Sequence, residues 1–376
     1  MPPLLSLDAA LARVLAEDVT SRVDLPPFAS SAMDGFAVHA DDLPGRLPVV
    51  FRIAAGRPAD RPLERGEAME ISTGGAVPEG ADAVVPVESV VATDNSVEIP
   101  EPVSAGAHVR PAGGDVRAGD VLLEAGAVLG AAQIGALAAV GVAEVLCARR
   151  PTVVVLSTGT ELRAPGEELR PGQIYESNGP MLLAAFEAAG AIVERIGPIP
   201  DDEESHRVAL GRGLAADVLV SSGGVSVGPH DLVRRILGEL GVEEEFWGVA
   251  VRPGKPLAFG SRGATLVFGV PGNPVSALVA VELFVRLALL ALQGAARPGP
   301  RYASGRLASA RRRNPARDDL VRARTRDDEG ETLLEPLSGQ ESHMIARAAA
   351  ADALVLVPAG DGELSAGARV RYLRLG

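Results

Sequence analysis

Residues 152–156, Thr-Val-Val-Val-Leu, form an unbroken apolar and largely β-branched run. A strand with one face in water alternates apolar with polar residues, so a continuous run belongs to a strand covered on both faces. Periodicity downstream predicts helices over 181–189, 203–214 and 232–240, and a last helix from Pro274 to just before Gly294. Between them it predicts strands over 191–196, 217–221 and 265–270. Buried strands alternating with helices specify a doubly wound α/β domain with a parallel sheet, here residues 151–296.

The flanks read differently. A short amphipathic helix is expected over 7–15. Short strands broken by Gly and Pro follow, among them 49–53, 83–86 and 97–99, and a helix over 131–140 ends at Gly141. After the Arg297-Pro298-Gly299-Pro300 linker, alternating runs such as 354–357 and 369–373 predict a small β domain. The expected whole is an α/β and β multidomain protein, with mixed β structure before the α/β domain and a small barrel-like β domain after it.

Composition narrows the function. Aromatic residues make up 3% of the chain and the formal charge is −13, so neither a stacking platform for single-stranded nucleic acid nor a basic stripe for nucleic acid or anionic membrane is expected. The most membrane-like stretch, 275–292, carries Glu282 and Arg286 four apart, which favours a buried helix over a membrane span. The single cysteine, Cys147, rules out an internal disulfide, suits a reducing cytoplasm and reads as a buried filler. No basic-then-apolar signal pattern opens the chain.

Ligands of open α/β sheets sit beyond the carboxyl ends of the strands. Three strand ends here lead into loops mixing glycine with hydroxyls. The first holds Thr158, Gly159 and Glu161; the second Ser222, Gly223, Gly224, Ser226, Gly228 and Asp231; the third Pro271, Gly272, Asn273 and Ser276. Glycines let backbone N–H groups close around an anion. Asp231 either caps the helix that follows or holds a divalent cation beside a phosphate, and Glu161 is either a solvated first-turn glutamate, a second carboxylate for that metal or a contact to a ligand ring. Asn273 and Pro274 read as N-cap and first residue of a long helix, whose free N–H groups suit a phosphate or carboxylate.

Lys255 is the only lysine among 36 basic residues, held in Arg252-Pro253-Gly254-Lys255-Pro256. Either drift left one exposed lysine, or a site keeps an ammonium where arginine serves everywhere else; the rigid Pro-Gly-Lys-Pro setting favours the site, and with it narrow anion binding. Near the N-terminus, Asp34 sits at the tip of a small-residue loop, with similar polar loops at 73–75 and 110–115. His230 and His343 stand alone in sequence and are not expected to bind metal.

Seven segments together resemble the MoeA family of bacterial molybdopterin molybdenumtransferases, related to the E domain of gephyrin and its plant counterpart. They are Ser-Ser-Ala-Met-Asp-Gly-Phe-Ala from Ser30, Ser-Thr-Gly-Gly-Ala-Val-Pro-Glu-Gly from Ser72, Ser-Thr-Gly-Thr-Glu-Leu from Ser157, Ser-Asn-Gly-Pro from Ser177, Ser-Ser-Gly-Gly-Val-Ser-Val-Gly from Ser221, Arg-Pro-Gly-Lys-Pro from Arg252 and Pro-Gly-Asn-Pro-Val-Ser from Pro271. The resemblance spans nearly the whole chain. It implies four domains: 1–24 with 116–150 as an elongated linker and dimerisation domain, 25–115 carrying the Asp34 loop, a MogA-like domain over 151–296, and 297–376. It implies a homodimer whose active site is shared between subunits. It also implies insertion of molybdate into adenylylated molybdopterin with release of AMP, using Mg2+ or a similar cation. Family functional positions fall on Asp34, Thr73, Asp115, Glu161, Asp201, Asp231, Arg252, Lys255 and Ser342. A molybdopterin adenylyltransferase is a candidate partner. The chain departs from the family in starting past the usual first helix, and in carrying Gly248 and Arg252 where a basic residue and a lysine are common.

Two rival functions remain: the preceding adenylylation of molybdopterin, and a non-catalytic scaffold that binds the cofactor. Molybdate-dependent AMP release separates them, since the first rival consumes ATP and the second does neither.

Overall fold

The computed structural model describes residues 1–224 and 232–375. The chain divides into two compact units, Pro2–Cys147 and the part from Ala148 onward.

In the second unit, β1 (Thr152–Thr158), α1 (Asn178–Ala188), β2 (Ile192–Ile199), α2 (Glu203–Gly213), β3 (Val218–Ser222), α3 (Leu232–Glu239), β4 (Glu243–Trp247), β5 (Ala258–Arg262), β6 (Thr265–Val270) and α4 (Pro274–Leu292) follow in order. The sheet order is β2-β1-β3-β6-β5-β4. The first four strands are parallel, and β5 and β4 add an antiparallel edge. Successive side chains of β1 serve opposite faces, as a pleated strand requires. Val153 and Val155 pack with Leu182 and Phe186 of α1 and Ala277 and Val281 of α4. Val154 and Leu156 pack with Leu210 of α2 and Val233 and Ile236 of α3. That two-sided burial is why the run had to be continuously apolar.

Helix α4 is long and apolar enough to cross a membrane by length and composition. Within the unit 44% of it is buried. One side meets the sheet, and Val279 meets Leu320, Leu354 and Leu356 of the following domain. The expected Glu282–Arg286 pair forms at 3.0 Å.

That following domain is a closed barrel of five strands: β7 (Tyr302–Leu307), β8 (Asp318–Asp328), β9 (Glu331–Pro336), β10 (Ala353–Val357) and β11 (Arg369–Arg374). The ring runs β8-β9-β7-β11-β10 and closes through the antiparallel β8–β10 pairing. Leu307, Val321, Leu334, Val355 and Tyr372 fill its interior.

The first unit holds a mixed six-stranded sheet, with Gly35–Val38 between Ala83–Pro86 and Ala68–Ile71. The helix Ala131–Ala139 forms as expected. The helix expected over 7–15 does not: only the 3-10 turn Leu7–Ala9 is helical, while Val14 and Leu15 make antiparallel bridges to Val128 and Cys147. The apolar spacing there serves a small cluster with Leu129 and Leu137, which pairing to extended chain satisfies as well as a helix would. Cys147 is buried in that cluster, and burial pushes its thiol pKa up.

Candidate functional site

The carboxyl ends of β1, β3 and β6 meet at one rim of the α/β sheet. Gly223 and Gly224 turn the chain there with φ of +91° and +65°, where a side chain is strained. A Cβ on Gly224 would also lie 2.4 Å from Val233 Cγ2. The turn is pinned by the Gly223 N–H donating to the Val270 carbonyl at 3.1 Å. Space left free of side chains becomes a cleft of about 630 Å3, bordered by Thr158, Glu161, Ser222, Gly223, Gly272 and Asn273 among others.

Asn178, in the first turn of α1, reaches into this rim. Its Nδ2 donates to Ser222 Oγ at 2.7 Å and to the Gly272 carbonyl at 2.8 Å. A carbonyl only accepts, so the nitrogen must face Gly272 and the oxygen is turned the other way. Asn178 Oδ1 is thus a buried acceptor without a protein partner on a residue of the cleft wall. The start of α1 is secured by Glu176, which accepts from the Gly179 N–H at 2.6 Å and pairs with Arg195 at 3.2 Å.

Asp201 accepts from the backbone N–H and hydroxyl of Thr160, both at 3.1 Å, and so braces the loop after β1. Glu161 folds its carboxylate over Gly159 at the edge of the cleft. Ser226, Gly228 and Asp231 lie outside the described residues. Among the described residues no group of three or more His, Cys, Asp or Glu side chains converges as a metal site.

A second cleft of about 680 Å3 abuts the first and shares Pro256, Pro271, Asn273 and His343 with it. Its wall carries four cations, Arg252, Lys255, Arg311 and Arg317, against two carboxylates, Asp319 and Glu341. Arg252, one of the family positions, pairs with the buried Asp319, so its charge is answered in part within the protein. Among the described residues, no carboxylate pairs with Lys255, Arg311 or Arg317. Arg311 and Arg317 come from the connection between β7 and β8 and were not singled out in the sequence. Ser276 and Ser342 add hydroxyls.

Asn273 and Pro274 do start α4, but the Asn273 side chain makes no cap bond. One helix-end donor is already taken, because the Val275 N–H donates to the Ser342 carbonyl at 3.0 Å. That bond fixes Ser342 at the mouth of the helix. His343, set aside as isolated, borders both clefts.

In the first unit, Asp34 and Thr73 come together. Asp34 Oδ1 accepts from the Thr73 N–H at 2.7 Å and its hydroxyl at 3.1 Å. Asp115 is exposed on a separate turn whose N–H donates to the Leu25 carbonyl at 2.9 Å.

Comparison with known proteins fits this arrangement to a family. Residues 2–141 match the MoeA N-terminal region (domain I and II), 154–291 a probable molybdopterin binding domain, and 304–375 the MoeA C-terminal region (domain IV). Molybdopterin molybdenumtransferase 2 of Mycobacterium tuberculosis H37Rv is 37% identical over 383 residues, covering 98% of this chain and 94% of that one. The chain belongs to the MoeA family. The molybdopterin molybdenumtransferase of Haemophilus influenzae is 39% identical across 77% of this chain and 72% of its own. A MoeA crystal structure from Pyrococcus horikoshii OT3 superposes with a TM-score of 0.85 at 27% identity, covering 100% of this chain and 95% of that one.

Proposed function

We propose that this protein acts in molybdenum cofactor biosynthesis as a molybdopterin molybdenumtransferase, inserting molybdate into adenylylated molybdopterin and releasing AMP. The observation that carries the reading is the pair of abutting clefts. One is lined by glycine turns with an unmet acceptor, and the other by cations with hydroxyls. A reaction joining a phosphorylated pterin nucleotide to a tetrahedral oxyanion needs both compartments with a shared wall.

Backbone N–H groups at Gly224 and Gly272, with Thr158 and Ser222, hold the pterin nucleotide, and Asn178 Oδ1 takes one of its N–H groups, while the N–H groups of Gly159 and Gly223 are spent on the Ile199 and Val270 carbonyls and shape the turns. Lys255, Arg311 and Arg317, with Ser276 and Ser342, hold molybdate, while Arg252 acts through its bond to Asp319. The two dithiolene thiols bond to molybdenum as one oxo group leaves with their two protons as water, and a water molecule attacks the phosphoanhydride, breaking its P–O bond to give pterin phosphate and AMP. These side chains work by positioning and by stabilising the charge that develops in the transition state. Mg2+ binds through one or two carboxylates and substrate phosphates, and Glu161 at the rim suits that role, with Asp231 as its proposed companion. When bound it offsets charge on the phosphoanhydride.

The reading extends to the assembly. Asp34, Thr73 and Asp115 serve the active site of a partner subunit in a cytoplasmic homodimer of four-domain chains, divided as the sequence suggested. The family membership and the Asp34–Thr73 bond, which holds a carboxylate ready on an exposed loop, support this. A molybdopterin adenylyltransferase supplies the substrate. The test is AMP release from adenylylated molybdopterin by the purified protein. Release that rises with added molybdate is expected; AMP formation independent of molybdate, or consumption of ATP in its place, overturns the reading.

A further inference from the structure

Arg322 lies in β8 of the barrel and is one of the largest fully buried side chains in the molecule. Among the described residues it has no carboxylate partner within ion-pair distance. Its guanidinium is spent on main-chain carbonyls. It donates to Met344 O at 2.9 Å, to Gly339 O at 2.8 Å and to Glu341 O at 3.2 Å. The Gln340 side chain completes the clamp, accepting from the Arg322 N–H at 3.0 Å and donating to the Arg322 and Leu337 carbonyls at 2.9 and 2.8 Å. Burial pulls the Arg322 pKa down, which Glu341 opposes, so the cost of desolvating this charge is real and only the loop answers it.

A trans peptide holds its C=O and the next N–H antiparallel. Drawing the carbonyls of Gly339 and Glu341 onto Arg322 turns the N–H groups of Gln340 and Ser342 to the opposite side of the loop. Residues 340–343 border the cation-lined cleft, whereas Arg322 does not. A buried cation that collects oxygens on one side thus gathers donors on the other. The Ser342 carbonyl is separately fixed by the Val275 N–H at 3.0 Å, which locks the loop's register against α4.

We infer that Arg322 is a positioning residue for oxyanion binding: by holding the carbonyls of loop 339–344, it presents the Ser342 hydroxyl and the backbone N–H groups of Gln340 and Ser342 to the tetrahedral oxyanion in the cleft beside Lys255. The inference rests on the proposed function for that cleft. It differs from a packing role, because a lysine can fill the space and keep the charge but cannot reach three carbonyls from one planar head.

The test measures AMP release against molybdate concentration, alongside thermal unfolding, for full-length wild type, Arg322→Lys and Gln340→Met. Arg322→Lys is expected to raise KM for molybdate at least tenfold, with KM for the pterin nucleotide and kcat at saturating molybdate each within about threefold. Gln340→Met, which loosens the clamp without stranding a charge, raises the same KM in the same direction and decides the matter if Arg322→Lys fails to fold. Folded variants with wild-type KM for molybdate, or a loss of kcat that merely tracks the folded fraction, overturn the inference. A wild-type protein whose AMP release ignores molybdate overturns the underlying reading of the cleft instead, and this one with it.

Discussion

Replacing Asn178 with leucine separates a structural from a recognition role at one position. Leucine keeps the approximate shape and removes both ends of the amide. The two bonds from Nδ2, at 2.7 and 2.8 Å, are lost, leaving Ser222 Oγ free to re-aim but the Gly272 carbonyl without that donor. At about 0.5–1.5 kcal/mol net per bond, the fold should lose about 1–3 kcal/mol. The transition of the second unit should fall by roughly 2–12 °C, taking about 2–4 °C for each kcal/mol in a unit of this size. The orphaned Oδ1 predicts a second, independent effect. If it accepts from the pterin nucleotide, one further bond of about 0.5–1.5 kcal/mol disappears, raising KM for that ligand about 2- to 12-fold while KM for molybdate stays put. Thermal unfolding reads the first effect and AMP-release kinetics the second. A variant less stable than wild type with an unchanged nucleotide KM would leave Asn178 a structural residue. A variant with unchanged stability would refute the bonding assigned to Nδ2.

Lys255→Met should raise KM for molybdate by about 10- to 150-fold, the equivalent of roughly 1.5–3 kcal/mol for a hydrogen bond to a charged ligand; equal KM values in the two proteins would remove Lys255 from the site. Gly35→Ala places a Cβ 2.0 Å from the Val85 carbonyl oxygen between two strands that cannot part, so the first unit should lose about 3 kcal/mol or fail to fold, and a wild-type unfolding transition counts against the packing described. Arg149 holds the Asp217 carboxyl far below the ordinary value, helped by the Thr152 N–H and hydroxyl. The folded pKa is depressed, so this stability is complete above the unfolded value near about 4 and is lost as pH falls toward the folded one. Wild type should therefore outlast Asp217→Asn at pH 7, with the gap narrowing below about pH 4; a gap of constant size in urea titrations across that range contradicts the linkage.

What could be read from the sequence follows from where the physics is local. The run at 152–156 announced a two-faced strand, and Asn273-Pro274 announced a helix start, because burial and fixed φ act on consecutive residues. The antiparallel edge β4–β5 was invisible. Glu243, Glu244 and Glu245 look like a solvated turn, yet Glu243 and Glu244 pair with Ser261 and Gly260 as an exposed edge tolerates. Arg311 and Arg317 could not be distinguished in a chain that uses arginine for nearly all its positive charge. Only the barrel's docking against α4 brings them beside Lys255. Nothing local in the Ser-Asn-Gly-Pro segment marks Asn178, since an unmet acceptor exists only once its partners are placed. The pairing of Arg252 with Asp319, 67 residues away, leaves no local trace in the sequence either.

The common wall of Pro256, Pro271, Asn273 and His343 also bears on how the protein is inhibited. Two compounds too weak to hold their own compartments become one strong compound when joined, since after the first end docks the second faces a high effective concentration of its own site. A short tether between a purine-like head and a phosphonate or sulfonate tail has only that wall to cross. Its length would then serve as a ruler for the distance between the two reactants.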